Sequence, residues 1–206
     1  PDIANNPNEL SIFLTNKIYI LGVKPILYLI SLGLTSFGRI PSVYSGFVSV
    51  SIINKIKLKN GLFFHSVTPD IYSGLAVMSE IDKYIYSFTP LSVSGGSSKS
   101  NGKAISSNFN NKLMKLYFQE NDIAQHHMMK VIPGSVTSQV LEVLLQVNDH
   151  CFGGKLKIRK NKFYSTILQE LSVREPAMYE NGISVLKDLS LNNSERNQMV
   201  RQIKKY

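Results

Sequence analysis

The stretch Ser135-Val136-Thr137-Ser138-Gln139-Val140-Leu141-Glu142-Val143-Leu144-Leu145-Gln146-Val147-Asn148-Asp149-His150 is the clearest amphipathic helix in the chain. Val136, Val140, Leu141, Val143, Leu144 and Val147 recur at the spacing of one helix face, with polar residues between them. It marks the second half of the sequence as mainly helical. Beyond it, Lys155-Leu156-Lys157-Ile158-Arg159 alternates cation and aliphatic, the pattern of a half-buried strand. Three shorter helical stretches follow, over 161–173, 176–189 and 193–204.

On the N-terminal side the texture changes near residue 105. Gly95-Gly96-Ser97-Ser98-Lys99-Ser100-Asn101-Gly102 reads as a loop, and Pro90–Ser94 and Tyr84–Phe88 before it as strands. Ile71, Leu75, Met78 and Ile81 fall at helical spacing after Thr68-Pro69-Asp70, where Thr68 or Asp70 can cap and Pro69 suits the helix edge. Phe63–Val67 reads as a short buried strand. Ser51–Lys59 reads as a helix with Lys55, Lys57 and Lys59 outward, stopped by Asn60-Gly61. Residues 11–36 are apolar runs that serve equally as strand or helix. The division expected is therefore an α/β part over 1–105 and a mainly helical region over 106–206.

Composition narrows the class. A chain of 206 residues that is 43% hydrophobic can bury a substantial core. Cys151 is the only cysteine, which excludes an intrachain disulfide, a CxxC pair and a zinc-finger framework, and fits a reducing, cytoplasmic setting. The net charge of +9 points to an anionic partner. Its cations gather at Lys155–Lys162 and at Arg196, Arg201, Lys204 and Lys205, where a solvated basic face is the plain alternative. The most apolar stretch, Ile18–Phe37, is split by Lys24-Pro25 and falls short of the ~20 uninterrupted residues of a spanning helix. It reads as a buried element, with shallow peripheral membrane contact as the alternative. The opening Pro1-Asp2 in place of Met suggests a processed or truncated start.

Three segments, in order, carry a family likeness: Ile40–Ser49 (P-x-x-Y-x-x-F-V), Gly61–Gly74 (G-x-F-F, then P-D-x-Y-S-G), and Tyr86–Gly102, which ends in a loop of the S-G-x-S-x-x-S-N-G kind. This set resembles bacterial family 2 glycosyltransferases over roughly residues 38–105. The resemblance implies an incomplete GT-A-like mixed sheet with helices, followed by a variable acceptor-side region. It also implies a nucleotide-sugar donor, a sugar or glycan acceptor, and Mg²⁺ or Mn²⁺ in the complete enzyme. Such enzymes hold the metal with a D-x-D pair in a nucleotide-binding half that comes first. No D-x-D occurs here, and about 37 residues precede the likeness. The chain is thus expected to be an acceptor-side part, inactive alone.

An inverting transfer needs a carboxylate that takes the acceptor hydroxyl's proton. The resemblance puts Asp70 in that role; the residues by themselves leave catalytic base and helix cap both open. Lys99, Ser100, Asn101 and Gly102 would touch donor or acceptor, or else form a linker. His65 and Tyr72, near Asp70, are the further substrate-binding candidates, against ordinary core or surface roles. His126 and His127 are adjacent and should point apart, and no H-E-x-x-H or H-x-H exists, so no metal ligands are assigned. Glu80 and Asp82 read as solvated charge. The rival reading is a non-catalytic basic module gripping nucleic acid or an anionic surface. Few aromatics interleave its cations, so nucleic acid is the less expected partner.

Overall fold

A computed structural model describes residues 15–35, 37–89, 125–189 and 193–204. Among these residues the fold is mixed α/β, with seven α-helices and one two-stranded antiparallel sheet. Strand β1 (Ile18–Gly22) pairs with β2 (Lys83–Ser87) in the register Ile18 to Ser87 through Gly22 to Lys83. β1 runs straight into helix α1 (Val23–Ser31), so the apolar stretch is half strand and half helix. Lys24-Pro25 explains the change. Pro25 sits in the first helical turn, where a missing N–H costs no intrahelical bond, and Val23 N–H donates instead to Asp82 O at 2.8 Å. Val23, Ile26, Leu27 and Ile30 then form one buried face.

Helix α2 (Val50–Asn60) ends at Gly61, whose φ of 78° few other residues tolerate. The segment Phe63–Val67, expected as a strand, is instead an irregular turn. Among the described residues no strand lies beside it to bond, and Ser66 adopts φ 68°, which bends the chain away from extension. Helix α3 (Pro69–Met78) follows, with Pro69 in its first turn as anticipated.

Helix α4 (Val136–Phe152) is the centre of the molecule. Its start is capped by Ser135, which accepts from Ser138 N–H at 3.1 Å, and by Glu170 of α5 (Lys160–Ser172). The Glu170 carboxylate accepts from Ser135 Oγ at 2.5 Å, Thr137 Oγ1 at 2.6 Å and Thr137 N–H at 3.2 Å, placing negative charge at a helix N-terminus. Its end turns at Gly153, in the left-handed region, and Gly154 N–H returns to Asn148 O. The sequence pattern predicts a polar, solvent-facing side for α4, yet Gln139, Glu142, Gln146 and Asn148 are all buried. α2, α3 and α5 pack around it.

The expected strand at Lys155–Arg159 is also absent as a strand. Its alternation of exposure is present, but the segment bonds to no sheet. Leu156 N–H donates to Asn148 Oδ1 at 2.8 Å and Arg159 N–H to Ser31 O at 2.9 Å. Helices α6 (Pro176–Lys187) and α7 (Asn193–Ile203) complete the fold against α5. One hydrophobic cluster joins α1, α2 and α3 to α4, α5 and α6. The expected strand at Pro90–Ser94, the loop after it and the expected boundary near 105 lie outside the described residues. Among the described residues no helix is long and apolar enough to cross a membrane.

Candidate functional site

Asp70 stands in the first turn of α3, half-buried. Thr68 occupies the N-cap position but makes no side-chain cap bond, and its Oγ1 is buried without a partner among the described residues. No described group hydrogen-bonds the Asp70 carboxylate, while its backbone carbonyl accepts from Ser73 Oγ at 3.1 Å. The carboxylate is therefore not consumed by capping. The N–H groups of a helix's first turn and its dipole attract an anionic group at this position.

The wall beside Asp70 is aromatic. Burial and then the negative charge of Asp70 raise the Tyr44 phenol above its ordinary pKa, so the two side chains sense each other. The Tyr44 ring lies tilted against Phe64, with centroids 6.2 Å apart. Phe64 meets Phe63 edge-on at 4.9 Å, and Phe63 is anchored in the core.

What fixes this wall is close backbone packing. A Cβ at Gly74 would lie 2.8 Å from Pro41 O and 2.8 Å from Ile40 Cδ1, so only glycine lets α3 approach the 40–41 turn. Tyr84 and Tyr86 of β2 donate their hydroxyls to Arg39 O and Gly38 O, the second at 3.1 Å. The turn at 38–41, the start of α3 and strand β2 are thereby tied into one unit.

His65 and Tyr72 lie close to Asp70 in sequence but form a separate cluster with α4. Tyr72 is buried, and its hydroxyl pairs with His150 Nδ1 at 3.0 Å. Burial and then Cys151 hold that phenol far above its ordinary pKa. The His65 ring packs edge-on against Tyr72 at 5.3 Å and His150 at 5.0 Å, and burial followed by the His150 charge lowers its pKa. Cys151 accepts from Asn60 Nδ2 at 3.0 Å, and burial pushes its thiol up, the opposite of an activated nucleophile. Tyr72 thus turns inward and joins α3 to α4, whereas His65 is half-exposed at the edge. Lys99, Ser100, Asn101 and Gly102 lie outside the described residues.

Two expectations about charge are corrected. Glu80 is not solvated: its side chain is 6% exposed and binds Lys55 at 2.7 Å and Lys59 at 3.1 Å. The Lys55 hydrogen bond leads in lowering its pKa. His126 and His127 do not point apart, because they sit in a turn rather than a helix or strand, and their rings stack at 4.4 Å.

A concavity of about 520 Å³ opens beside these imidazoles, away from Asp70, between α4, the 154–159 segment and α7. His126 Nδ1 accepts from Met128 N–H at 3.1 Å, so Nε2 carries the proton shared with Asp149 at 3.0 Å. Burial, the largest cause, lowers the pKa of this imidazole, against the Asp149 hydrogen bond that raises it. Both ring nitrogens are occupied, which suits a structural histidine better than a base.

Glu142 connects the two regions. Fully buried, it accepts from Ser66 Oγ at 2.8 Å, from His126 N–H at 2.9 Å and from Gln146 Nε2. Its partner Ser66 is only four residues before Asp70. Sequence reasoning missed Tyr44, Phe64, His150 and Glu142 as neighbours of the candidate residues. The glycine at 74 and the lone polar residue on α4's apolar run were the only local signals.

No protein family, curated protein or solved structure matches the chain. Among the described residues no group of three or more His, Cys, Asp or Glu side chains could hold a metal ion.

Proposed function

We propose that the chain is the acceptor-side part of an inverting glycosyltransferase of the GT-A type, with Asp70 as its base. The observation that carries the reading is a half-buried, unbonded carboxylate in a helix's first turn, within electrostatic reach of Tyr44 of the Tyr44–Phe64 pair. Asp70 would take the proton of an acceptor hydroxyl as that oxygen attacks the anomeric carbon. The bond from that carbon to the nucleoside diphosphate breaks on the opposite face, with the electron pair leaving on the diphosphate. Tyr44 and Phe64 offer ring faces against which a sugar's C–H surface can lie. Further support comes from the way the first two likeness segments meet, Ile40-Pro41 against Gly74, with Tyr86 of the third bonded to Gly38 just before the first.

The test uses the chain joined to the segment preceding it in its reading frame. Asp70→Asn should lower transfer by about 10²–10⁴-fold, the range for a lost general base, with nucleotide-sugar binding unchanged. Transfer retained by the variant removes Asp70 from the mechanism.

One observation favours a second reading, a basic binding module. Lys155, Lys157, Arg159 and Lys162 are exposed beside the 520 Å³ cleft, although Lys160 is spent on Glu195 at 2.7 Å. Phosphate contacts of that kind weaken steeply with salt, whereas a base-dependent transfer follows Asp70.

A further inference from the structure

Few aromatics interleave the cations of 155–162 in sequence, but the fold brings one to them. His127, 28 positions before Lys155, lines the same 520 Å³ cleft as Arg159. Its imidazole is exposed and stacks on His126, with centroids 4.4 Å apart and planes at 28°. His126 is itself held at both nitrogens, by Met128 N–H at 3.1 Å and Asp149 at 3.0 Å. The His127 ring is thus mounted on a fixed partner, an aromatic platform for a flat group. A cleft of this volume lies in the range that takes small organic groups.

The cations beside it form a row held by the backbone. Leu156 and Ile158 line the cleft and pack toward the core, so Lys155, Lys157 and Arg159 stand exposed on the outer side of that wall. The wall is pinned at Leu156, whose N–H meets Asn148 Oδ1 at 2.8 Å, and at Arg159, whose N–H meets Ser31 O at 2.9 Å. Lys162 follows, exposed, in the first turn of α5. Among the described residues none of these four enters an ion pair, unlike Lys160, which is spent on Glu195. Four cations left without an acid on one rim favour a chain of phosphates over a single anion. The acids of the cleft sort the ligand's ends. Glu195 is neutralised by Lys160, whereas Asp149, 53% exposed, stands at the imidazole end. Phosphates are drawn to the 155–162 rim and kept from that end, where a carboxylate accepts from an amine or hydroxyl instead.

We propose, resting on the basic-module reading, that single-stranded nucleic acid binds here. Its phosphates lie on Lys155, Lys157, Arg159 and Lys162, and one unstacked base enters the cleft against His127. A duplex keeps its bases stacked inside and offers this site phosphates without a ring. A lipid surface or an inorganic polyanion likewise offers charge alone.

Fluorescence anisotropy with a short labelled oligoadenylate, as RNA and as DNA, tests the proposal. Affinity for the strand that binds should fall about 20–50-fold between about 50 and 200 mM salt, the slope for three or four neutralised phosphates. Lys157→Gln/Arg159→Gln should lower that slope by about 1.4. His127→Ala should weaken binding by about 5–150-fold with the slope unchanged, and His127→Phe should retain it. All three positions are exposed, so the variants' thermal melts by far-UV circular dichroism should match the wild type. A wild-type chain with no salt-dependent binding of any polyanion overturns the proposal and the basic-module reading together. Salt-dependent binding that His127→Ala leaves unchanged keeps that reading and overturns the proposal. So does binding of blunt duplex, inorganic polyphosphate or anionic vesicles as tight as that of the single strand.

Discussion

Replacing Glu142 with Gln should remove a pH dependence of stability that sits at the centre of the fold. The carboxylate has no exposure and accepts three hydrogen bonds. Burial is the larger influence and raises its folded-state pKa above the ordinary 4.5, while the His126 N–H, Ser66 and Gln146 bonds pull it down. The folded state therefore holds this proton more tightly than the unfolded chain does. Glu142 contributes most below pH 4.5, and that contribution is lost as pH rises through its raised folded-state value. Glu142→Gln keeps the shape and cannot ionise. The wild type should lose stability relative to the variant from about pH 4.5 upward, by about 1.4 kcal/mol for each unit by which its pKa is raised. Glu142→Ala is the contrasting perturbation. It strands Ser66 Oγ and the His126 N–H, about 1–3 kcal/mol each, and opens a void, so a loss of about 3–5 kcal/mol is expected. Since the chain has no Trp, urea unfolding is best followed by far-UV circular dichroism across pH 4–8. A wild-type-minus-Gln difference that is flat with pH, or that grows in favour of the wild type as pH rises, would refute the reasoning.

Two further substitutions probe how the site is held. Gly74→Ala gains about 1 kcal/mol of helix propensity but drives a Cβ against the Pro41 carbonyl, which cannot swing aside as a side chain would. The overpacking cost of about 1–3 kcal/mol should win, giving a lower urea midpoint; an unchanged or higher midpoint counts against the close approach of α3 to that turn. Glu170→Ala removes a charged acceptor from two hydroxyls and an N–H at the start of α4 and should cost about 2 kcal/mol or more, with Glu170→Gln recovering part. Equal stability of the wild type and the Ala variant would show that water replaces the cap.

Apart from α1, which the apolar run left open between strand and helix, the helices were legible because each announces itself locally. Pro69 and the 71–75–78 spacing gave α3, Asn60-Gly61 ended α2, and the valine and leucine periodicity gave α4. The two expected strands that are not strands, 63–67 and 155–159, fail for a common reason. Alternation reports which side chains are covered, whereas a strand also needs a neighbouring backbone. Lys155–Arg159 has the alternation, and its backbone bonds go to the Asn148 side chain and Ser31 O instead. In Phe63–Val67 the turn at Ser66 aims its hydroxyl at Glu142, a partner 76 residues away that no local window contains. The polar side of α4 was misjudged in the same way. Glu142 and Gln146 look like solvent-facing positions until the chain from 63 to 67 and from 125 to 128 closes over them.

The candidate site divides along this line too. Asp70 was visible because a helix start is a local event, and a carboxylate there is favoured whatever surrounds it. Whether it is spent as a cap depends on geometry, and here neither its own carboxylate nor Thr68 caps the helix. His65 and Tyr72 were chosen for closeness in sequence, yet a helix turns 100° per residue, and two positions beyond Asp70 the side chain faces inward. Tyr72 accordingly meets His150, 78 residues on, and welds α3 to α4. The residue that does share Asp70's surroundings is Tyr44, 26 positions earlier, brought there because Gly74 lets α3 lie against the Ile40-Pro41 turn. A carboxylate, two aromatic rings and a glycine contact thus depend on one another. Lengthening the side chain at 74 should disturb Tyr44 as well as stability, so the catalytic reading and the packing reading stand on the same few ångströms.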